Sequence, residues 1–356
     1  MARRGLSRKR LSFQAKLLGS VARATGRRAL FGARHKSWTW PYELMMAVMR
    51  DAMHDDHDGS AKLMRRRSGK LPEAIAARVT IGRETLAGVA CEVHTPRDHR
   101  AGDATLLYLH GGGYVTCSPA THRELIARLA LSTGARCVAP DYRLAPEHPF
   151  PAALDDALAV LAALASGELG SPVQPRTLFI AGDSAGGGLA LAALLKLRDQ
   201  GLALPRAALL LSPWVDLSLD RAALTGHGPL DYLNARMLSE TAPKYAAATG
   251  LTDPLVSPIY ADLSGLPPLL LQTGGWEVFY EQNVRFVAKA RAAGVEVRHE
   301  IEEGMLHVYP AFAGLLPEAR RALRSTGEFV RSFALLDLAL AARSSEARKQ
   351  ESETLS

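Results

Sequence analysis

Cysteine is scarce: Cys91, Cys117 and Cys137 are the only three in 356 residues. So sparse and odd a set offers no disulfide framework and fits a reducing compartment, so a cytoplasmic location is expected. No uninterrupted apolar stretch approaches the roughly 18 residues that a membrane-spanning helix requires. Acidic residues are missing altogether from positions 1–36, which hold eleven basic ones. Taking those eleven from the 43 Lys and Arg leaves 32 basic residues against 36 acidic. The formal net charge of +7 therefore belongs to this leader, and no nucleic-acid partner is expected for the body of the chain. A secretory signal is disfavoured, because no apolar core of the usual length follows the charges. The leader reads first as a solvated, partly disordered tail, and second as a peripheral contact with an anionic membrane surface.

What the chain has in quantity is glycine, 30 residues, and two glycine clusters stand at strand ends. Thr177 to Ala181 is an apolar strand that runs into Gly182-Asp183-Ser184-Ala185-Gly186-Gly187, followed by a helical run from Leu189 to Leu197. A strand, G-x-S-x-G and a helix form a nucleophile elbow, which exposes a serine hydroxyl above a sheet. A phosphate-cradling loop would place Lys after its last glycine, whereas Gly187 is followed by Gly188 and Leu189. The second cluster, His110-Gly111-Gly112-Gly113, ends the apolar strand Ala104–Leu109. Consecutive glycines leave backbone N–H groups unshielded, as an oxyanion hole requires. Gly111 and Gly112 are expected to supply two donors and Ala185 a third.

A base and an acid should follow the serine in the order Ser, acid, His. Of the later histidines, His299 lies in a strand-like alternation and His227 in a turn of the cap. His307 follows the loop Glu302–Leu306 after the last strand, where a base could reach back over the sheet, and it is the favoured base. The penultimate strand, Pro268–Thr273, leads to Gly274-Gly275-Trp276-Glu277. Glu277 is the first carboxylate past that strand and is expected to accept a hydrogen bond from the His307 ring. Glu281, one helical turn later, reads as a carboxylate at a helix N-terminus.

With these residues placed, the chain resembles the hormone-sensitive-lipase-like family of α/β-hydrolases, the bacterial family IV esterases. The resemblance runs from about Leu106 to Phe312. It is carried by His110-Gly111-Gly112-Gly113-Tyr114, the segment Asp141–Ala153, Gly182-Asp183-Ser184-Ala185-Gly186-Gly187, Ser212-Pro213-Trp214-Val215-Asp216-Leu217, and Asp253-Pro254 with Ser257-Pro258. It implies an α/β-hydrolase core, a helical cap built partly from the N-terminal segment, and hydrolysis of small acyl or aryl esters without metal or cofactor. The family usually carries Asp as the acid; here it is Glu277, beside a Trp276 expected to fill space under His307. Cys117, where a small residue is often seen, reads as packing. In the Asp141–Ala153 segment, Asp141, Arg143 and Glu147 are expected to form a charge network that scaffolds the site.

The expected fold is an eight-stranded, mostly parallel sheet flanked by helices. The expected layout is a leader over 1–36, an N-terminal cap part over 37–70, a catalytic domain over 71–342 with a cap insertion near 219–248, and a polar tail over 343–356 that frays. A cap helix is expected over Ser37–Met53, with Thr39 as its cap. Its Tyr42, Met45, Met46, Met49 and Met53 recur on one face. Tyr114, Trp38, Trp40, Trp214 and Met237 are taken as pocket walls. His54-Asp55-Asp56-His57-Asp58 fails the calcium-loop pattern, because Arg65 stands where a bidentate Glu belongs, so no metal site is expected. The expected activity is that of a serine carboxylesterase acting on a small-molecule ester of short to medium acyl chain. Lactone hydrolysis, natural-product deacetylation and a non-catalytic ligand-binding role remain alternatives, and a homodimer stays open.

Overall fold

The computed structural model describes residues 18–55, 69–100, 102–218 and 230–354. The first half of the leader, His57, Arg65-Arg66-Arg67, His227 and residues 219–229 of the cap insertion lie outside the described residues.

Eight strands form one sheet: β1 (Val79–Leu86), β2 (Val89–Pro96), β3 (Thr105–Leu109), β4 (Arg136–Pro140), β5 (Leu178–Asp183), β6 (Ala208–Leu211), β7 (Leu269–Gly274) and β8 (Val297–Glu302). Their order is β1-β2-β4-β3-β5-β6-β7-β8. β2 pairs antiparallel with β1 and β4, and every later pairing is parallel. The expected mostly parallel sheet is therefore present.

The central strands are apolar on both faces because helices cover both. All five residues of β3 are buried. Leu107 and Leu109 pack into one core, with helices α5 (Ala152–Ser166), α6 (Ala185–Asp199) and α8 (Tyr280–Ala292). Leu106 and Tyr108 pack into the other, with α4 (Arg123–Thr133) and the long α9 (Pro317–Thr354). This alternation is the period of two that a pleated strand imposes. Each fully buried Leu contributes about 1.5–3 kcal/mol of transfer free energy. The site is built where β3, β5, β7 and β8 end.

Two expectations about the ends are corrected. Residues 18–31 of the leader form a helix, α1, rather than a solvated tail. It packs through ion pairs to the cap helix α2 (Trp40–Asp55), whose buried Glu43 receives Arg27 and Arg28 at 3.0 and 2.6 Å. A buried carboxylate needs such partners, and the acid-free leader supplies them. At the other end α9 continues through Thr354, so residues 343–354 are helical rather than frayed. Thr39 precedes α2, but its buried hydroxyl has no hydrogen-bond partner among the described residues; only its carbonyl is used, by the Glu43 N–H.

Candidate active site

The chain turns sharply between β5 and α6. Ser184 sits there at φ 53°, ψ −123°, a conformation rare for a residue with a side chain. The turn is held by its own backbone. Ser184 N–H donates to Leu211 O at 2.9 Å, and Ser184 O accepts from Gly187, Gly188 and Trp214 N–H groups at 3.0, 3.2 and 2.8 Å. Only glycine fits at 186, where a Cβ would lie 2.0 Å from Leu109 O. β3 therefore brings the His110–Gly113 loop directly against the start of α6.

That loop is anchored from below by Asp183. The Gly111 N–H donates to Asp183 Oδ1 at 2.9 Å, and the Tyr108 hydroxyl donates to the same oxygen. Asp183 Oδ2 lies 3.4 Å from His122 Nε2. Burial acts to raise the Asp183 pKa, but the His122 charge and the hydrogen bonds from His122 and Tyr108 together hold the carboxyl below its ordinary value. The reciprocal attraction outweighs burial at His122 and raises it. The expectation that Gly111 offers an oxyanion donor is thereby corrected, because its N–H is already committed. The N–H groups of Gly112, Gly113 and Ala185 have no acceptor among the described residues. Gly112 and Gly113 line the same cavity as Ser184. Gly112 has φ +117°, and a Cβ there would meet Thr116 O at 2.3 Å. The loop is further braced by His110, stacked on Tyr142 at 4.3 Å.

On the opposite side, the loop after β8 brings His307 Nε2 to 2.9 Å from Ser184 Oγ. Both side chains are nearly buried, yet both line the cavity. Burial pushes the His307 imidazole down to about 3, against the attraction of Asp183, so it rests neutral. The expected contact from Glu277 takes another form. His307 Nδ1 has no hydrogen-bond partner among the described residues. Glu277 instead accepts from Ser212 Oγ at 2.5 Å, Gly274 N–H at 2.8 Å and Asn283 Nδ2 at 3.2 Å. Ser212 Oγ in turn accepts the Val308 N–H at 3.0 Å, so the acid reaches the histidine loop through one hydroxyl. Burial pushes the Glu277 carboxyl up to about 8, and the charge of Asp231 adds to the rise.

Asp231 and Ser212 are the residues that sequence reasoning missed. Asp231 is fully buried, in the segment expected to form the cap insertion. It accepts the Val278 N–H at 2.9 Å, beside the acid, and the Tyr232 N–H at 2.7 Å. The next side chain, Tyr232, donates its hydroxyl to His307 O at 3.1 Å. Burial pushes the Asp231 carboxyl up to about 7, opposed by the backbone amides of Val278, Leu233, Tyr232 and His307. The Asp231-Tyr232 segment is thus tied to both loops. The signal in the sequence was an acid alone among apolar cap residues, Pro229-Leu230-Asp231-Tyr232-Leu233.

Other expectations shift as well. The ring against His307 is Phe279, edge-on at 4.9 Å. Trp276 points away, donating to Glu303 at 2.7 Å, because its ring packs with His35 and Trp38. Arg143 pairs with Asp156 at 2.7 Å, one helix on, rather than with Asp141 or Glu147. His299 stays on β8, bonded to Thr273 at 3.0 Å. The cavity above Ser184 measures about 360 Å³. Trp214 and Met237 line it, with Met49 and Met53 of α2. Three expected walls do not. Tyr114 is stacked on Tyr245 at 3.6 Å. Trp38 is buried and donates to Gly304 O at 2.7 Å, and Trp40 lies under the Arg28 guanidinium. Cys117 does line the cavity, but burial pushes its thiol up to about 12. No helix among the described residues is long and apolar enough to cross a membrane.

Comparison with known proteins agrees with this geometry. Residues 106–311 match the family model described as the alpha/beta hydrolase fold. The chain is 43% identical over 243 residues to an acetyl-hydrolase of Streptomyces hygroscopicus, covering 68% of this chain and 80% of that protein. It is 36% identical over 232 residues to an esterase of Acinetobacter venetianus, covering 65% and 75%. Among solved structures, an esterase/lipase from an uncultured bacterium superposes with a TM-score of 0.74 at 36% identity, covering 81% of this chain and 97% of that one. A hormone-sensitive lipase from a metagenome library superposes with a TM-score of 0.72 at 34% identity and the same coverage. The elbow, the glycine loop, the sheet and these likenesses agree: the chain belongs to the alpha/beta-hydrolase fold family, in its hormone-sensitive-lipase-like group of ester hydrolases.

Proposed function

We propose that this chain is a serine carboxylesterase whose triad is Ser184, His307 and Glu277. The single observation that carries the reading is the 2.9 Å approach of a neutral, buried imidazole to a hydroxyl that lines a cavity beside uncommitted backbone N–H groups. Ser184 Oγ attacks the ester carbonyl carbon and its proton passes to His307 Nε2. The carbonyl oxygen becomes an oxyanion, received by the N–H groups of Gly112, Gly113 and Ala185. Collapse breaks the bond to the alcohol, which leaves with the proton from His307. A water then gives a proton to His307 and attacks the acyl-serine carbon; the bond to Ser184 Oγ breaks, the acid leaves, and His307 returns its proton to Oγ. Glu277 stabilises the imidazolium that forms in each half. In the resting geometry it reaches the histidine loop through Ser212, and catalytic hydrogen bonds of this kind tighten as charge develops.

The substrate is a small ester with a short acyl group. Support comes from the modest cavity, its Met49, Met53 and Met237 walls, and the acetyl-hydrolase name of the Streptomyces relative. That name also favours a second reading, removal of an acetyl group from a larger acetylated molecule by the same steps. The free thiols Cys91, Cys117 and Cys137 support a cytoplasmic location. The test is Ser184→Ala assayed on p-nitrophenyl esters of increasing chain length. Turnover should fall on the order of 10⁶-fold, with acetyl and butyryl esters preferred by the parent enzyme. Unchanged turnover in the variant would overturn the assignment.

A further inference from the structure

The basic leader and the cap helix enclose a second cavity, remote in sequence from the catalytic motifs. It measures about 250 Å³, below the range of sites for drug-sized molecules. Four guanidinium groups line it, those of Arg23, Arg27, Arg34 and Arg50, against only two carboxylates, Glu43 and Asp51. Both carboxylates are already occupied. Glu43 takes Arg27 at 3.0 Å and Arg28, which is outside the lining, at 2.6 Å. Asp51 takes Ser20 and Arg23, each at 2.6 Å. Arg34 and Arg50 stand only 3.6 and 3.8 Å from these carboxylates and have no hydrogen-bond acceptor among the described residues. Their side chains are 27% and 23% exposed, so most of each is withdrawn from bulk water.

Arg34 and Arg50, with partly buried side chains and only long ion-pair contacts to Glu43 and Asp51, thus face one small cavity of surplus positive charge. Guanidinium forks match tetrahedral oxyanions bidentately. We propose that this cavity, between α1 and α2, is a binding site for a phosphate group, with Arg34 and Arg50 as its principal ligands and Arg27 as a third. The potential there agrees: burial and the neighbouring Arg27 and Arg50 charges lower the Arg34 pKa, and Glu43 only partly offsets them. The phosphate is either free, as an inorganic ion or small phosphate ester, or the headgroup of an anionic phospholipid. Leu30 and Phe31 follow Arg27 by three and four positions on α1 and are 78% and 74% exposed, a placement that would suit an acyl boundary.

The test uses the full chain, with p-nitrophenyl acetate turnover as the check on folding, since none of these arginines touches the catalytic cavity. Inorganic phosphate is titrated calorimetrically at constant ionic strength, with chloride as the control. Separately, the chain is sedimented with phosphatidylcholine vesicles with and without phosphatidic acid. Arg34→Gln with Arg50→Gln should weaken phosphate binding about tenfold or more and leave turnover unchanged. Calorimetric binding identifies free phosphate as the source, and sedimentation only with phosphatidic acid vesicles identifies the headgroup. Should the double variant fail to fold, Arg34→Lys with Arg50→Lys keeps the charge but loses the fork, and binding should weaken to a smaller extent. Failure of the parent chain to bind either probe, or binding indifferent to these substitutions, would overturn the proposal.

Discussion

Asp183→Ala tests how the glycine loop is held. The carboxylate is buried and never touches the substrate in the proposed mechanism. Its Oδ1 accepts from the Tyr108 hydroxyl and from the Gly111 N–H. Removing it leaves two buried donors without an acceptor, at about 1–3 kcal/mol each. Unfolding free energy should therefore fall by about 2–6 kcal/mol. The kinetic effect follows from position. Gly112 and Gly113 are the next two residues, and their N–H directions are set by the Gly111 anchor. Misdirecting one oxyanion donor costs about 2.7–4 kcal/mol, or 10²–10³ in kcat. KM should change little, because the hole acts on the transition state. Asp183→Asn is the control. Its carbonyl keeps both donors, and its amide can donate to His122 Nε2 while His122 Nδ1 stays with Ser118 O and Thr121. Its kcat should stay within about tenfold of the parent. The assays are steady-state hydrolysis of p-nitrophenyl acetate and urea unfolding. A folded Asp183→Ala variant with kcat within about tenfold of the parent would refute the anchoring argument.

Glu277→Gln should lower kcat on the order of 10⁴-fold, while Glu281→Gln, an exposed side chain in the first turn of α8, should leave it nearly unchanged; the reverse order in p-nitrophenyl acetate assays would transfer the acid role. The pKa of His307 is lowered by burial, so its neutral, proton-accepting form persists to lower pH than for a solvated histidine. The imidazole should therefore contribute an acid limb of kcat/KM with its midpoint below 6.5, while protonation of Glu277, raised by burial to about 8, should contribute one above it that Glu277→Gln removes; a limb near 6.5 that survives in Glu277→Gln would contradict the buried geometry of His307. Asp231→Asn sets an amide N–H against the Val278 N–H, which should lower the unfolding free energy by about 1–3 kcal/mol in urea titrations and reduce kcat more than it changes KM. An unchanged kcat would mean that the Asp231-Tyr232 segment does not position the two loops.

The parts of the site legible in the sequence were those written in local pattern. β3 and β5 were visible as apolar runs ending in glycine, because parallel strands covered on both faces need no polar alternation. Ser184 was visible because its turn demands small neighbours on both sides. His307 was found by order along the chain and by its loop. What could not be read was any partner chosen by tertiary approach. Asp183 and Gly111 are 72 positions apart, and Ser212 and Glu277 are 65 apart. Nothing local says that the Gly111 N–H is committed and the Gly113 N–H free. Aromatic identity likewise carries no direction. Trp38 and Trp214 are equally apolar, yet Trp38 packs with the cap helix and Trp214 lines the cavity. The leader reads as a tail from sequence because its partner, Glu43, is a buried carboxylate on a helix whose periodicity shows only its apolar face.

The buried acids explain what holds the loops of the site in place. A carboxylate without partners in an apolar interior is costly. Here Asp183, Glu277 and Asp231 each take backbone N–H groups as well as side-chain or further backbone donors. The backbone donors come from the loops that must be fixed: Gly111 in the glycine loop, Gly274 before the acid, Val278 after it. Displacing any of these loops would strip a buried acid of its partner, so desolvation itself resists movement. Asp183 governs the glycine loop that would receive the oxyanion. Glu277, Ser212 and Asp231 govern the loop that carries His307. The two groups meet at the Ser184 turn, through the chain neighbour Asp183 on one side and the imidazole on the other. A position of marginal backbone stability thus lies between two polar networks, and the strain at φ 53° is sustained by fixing the loops on both sides of the serine.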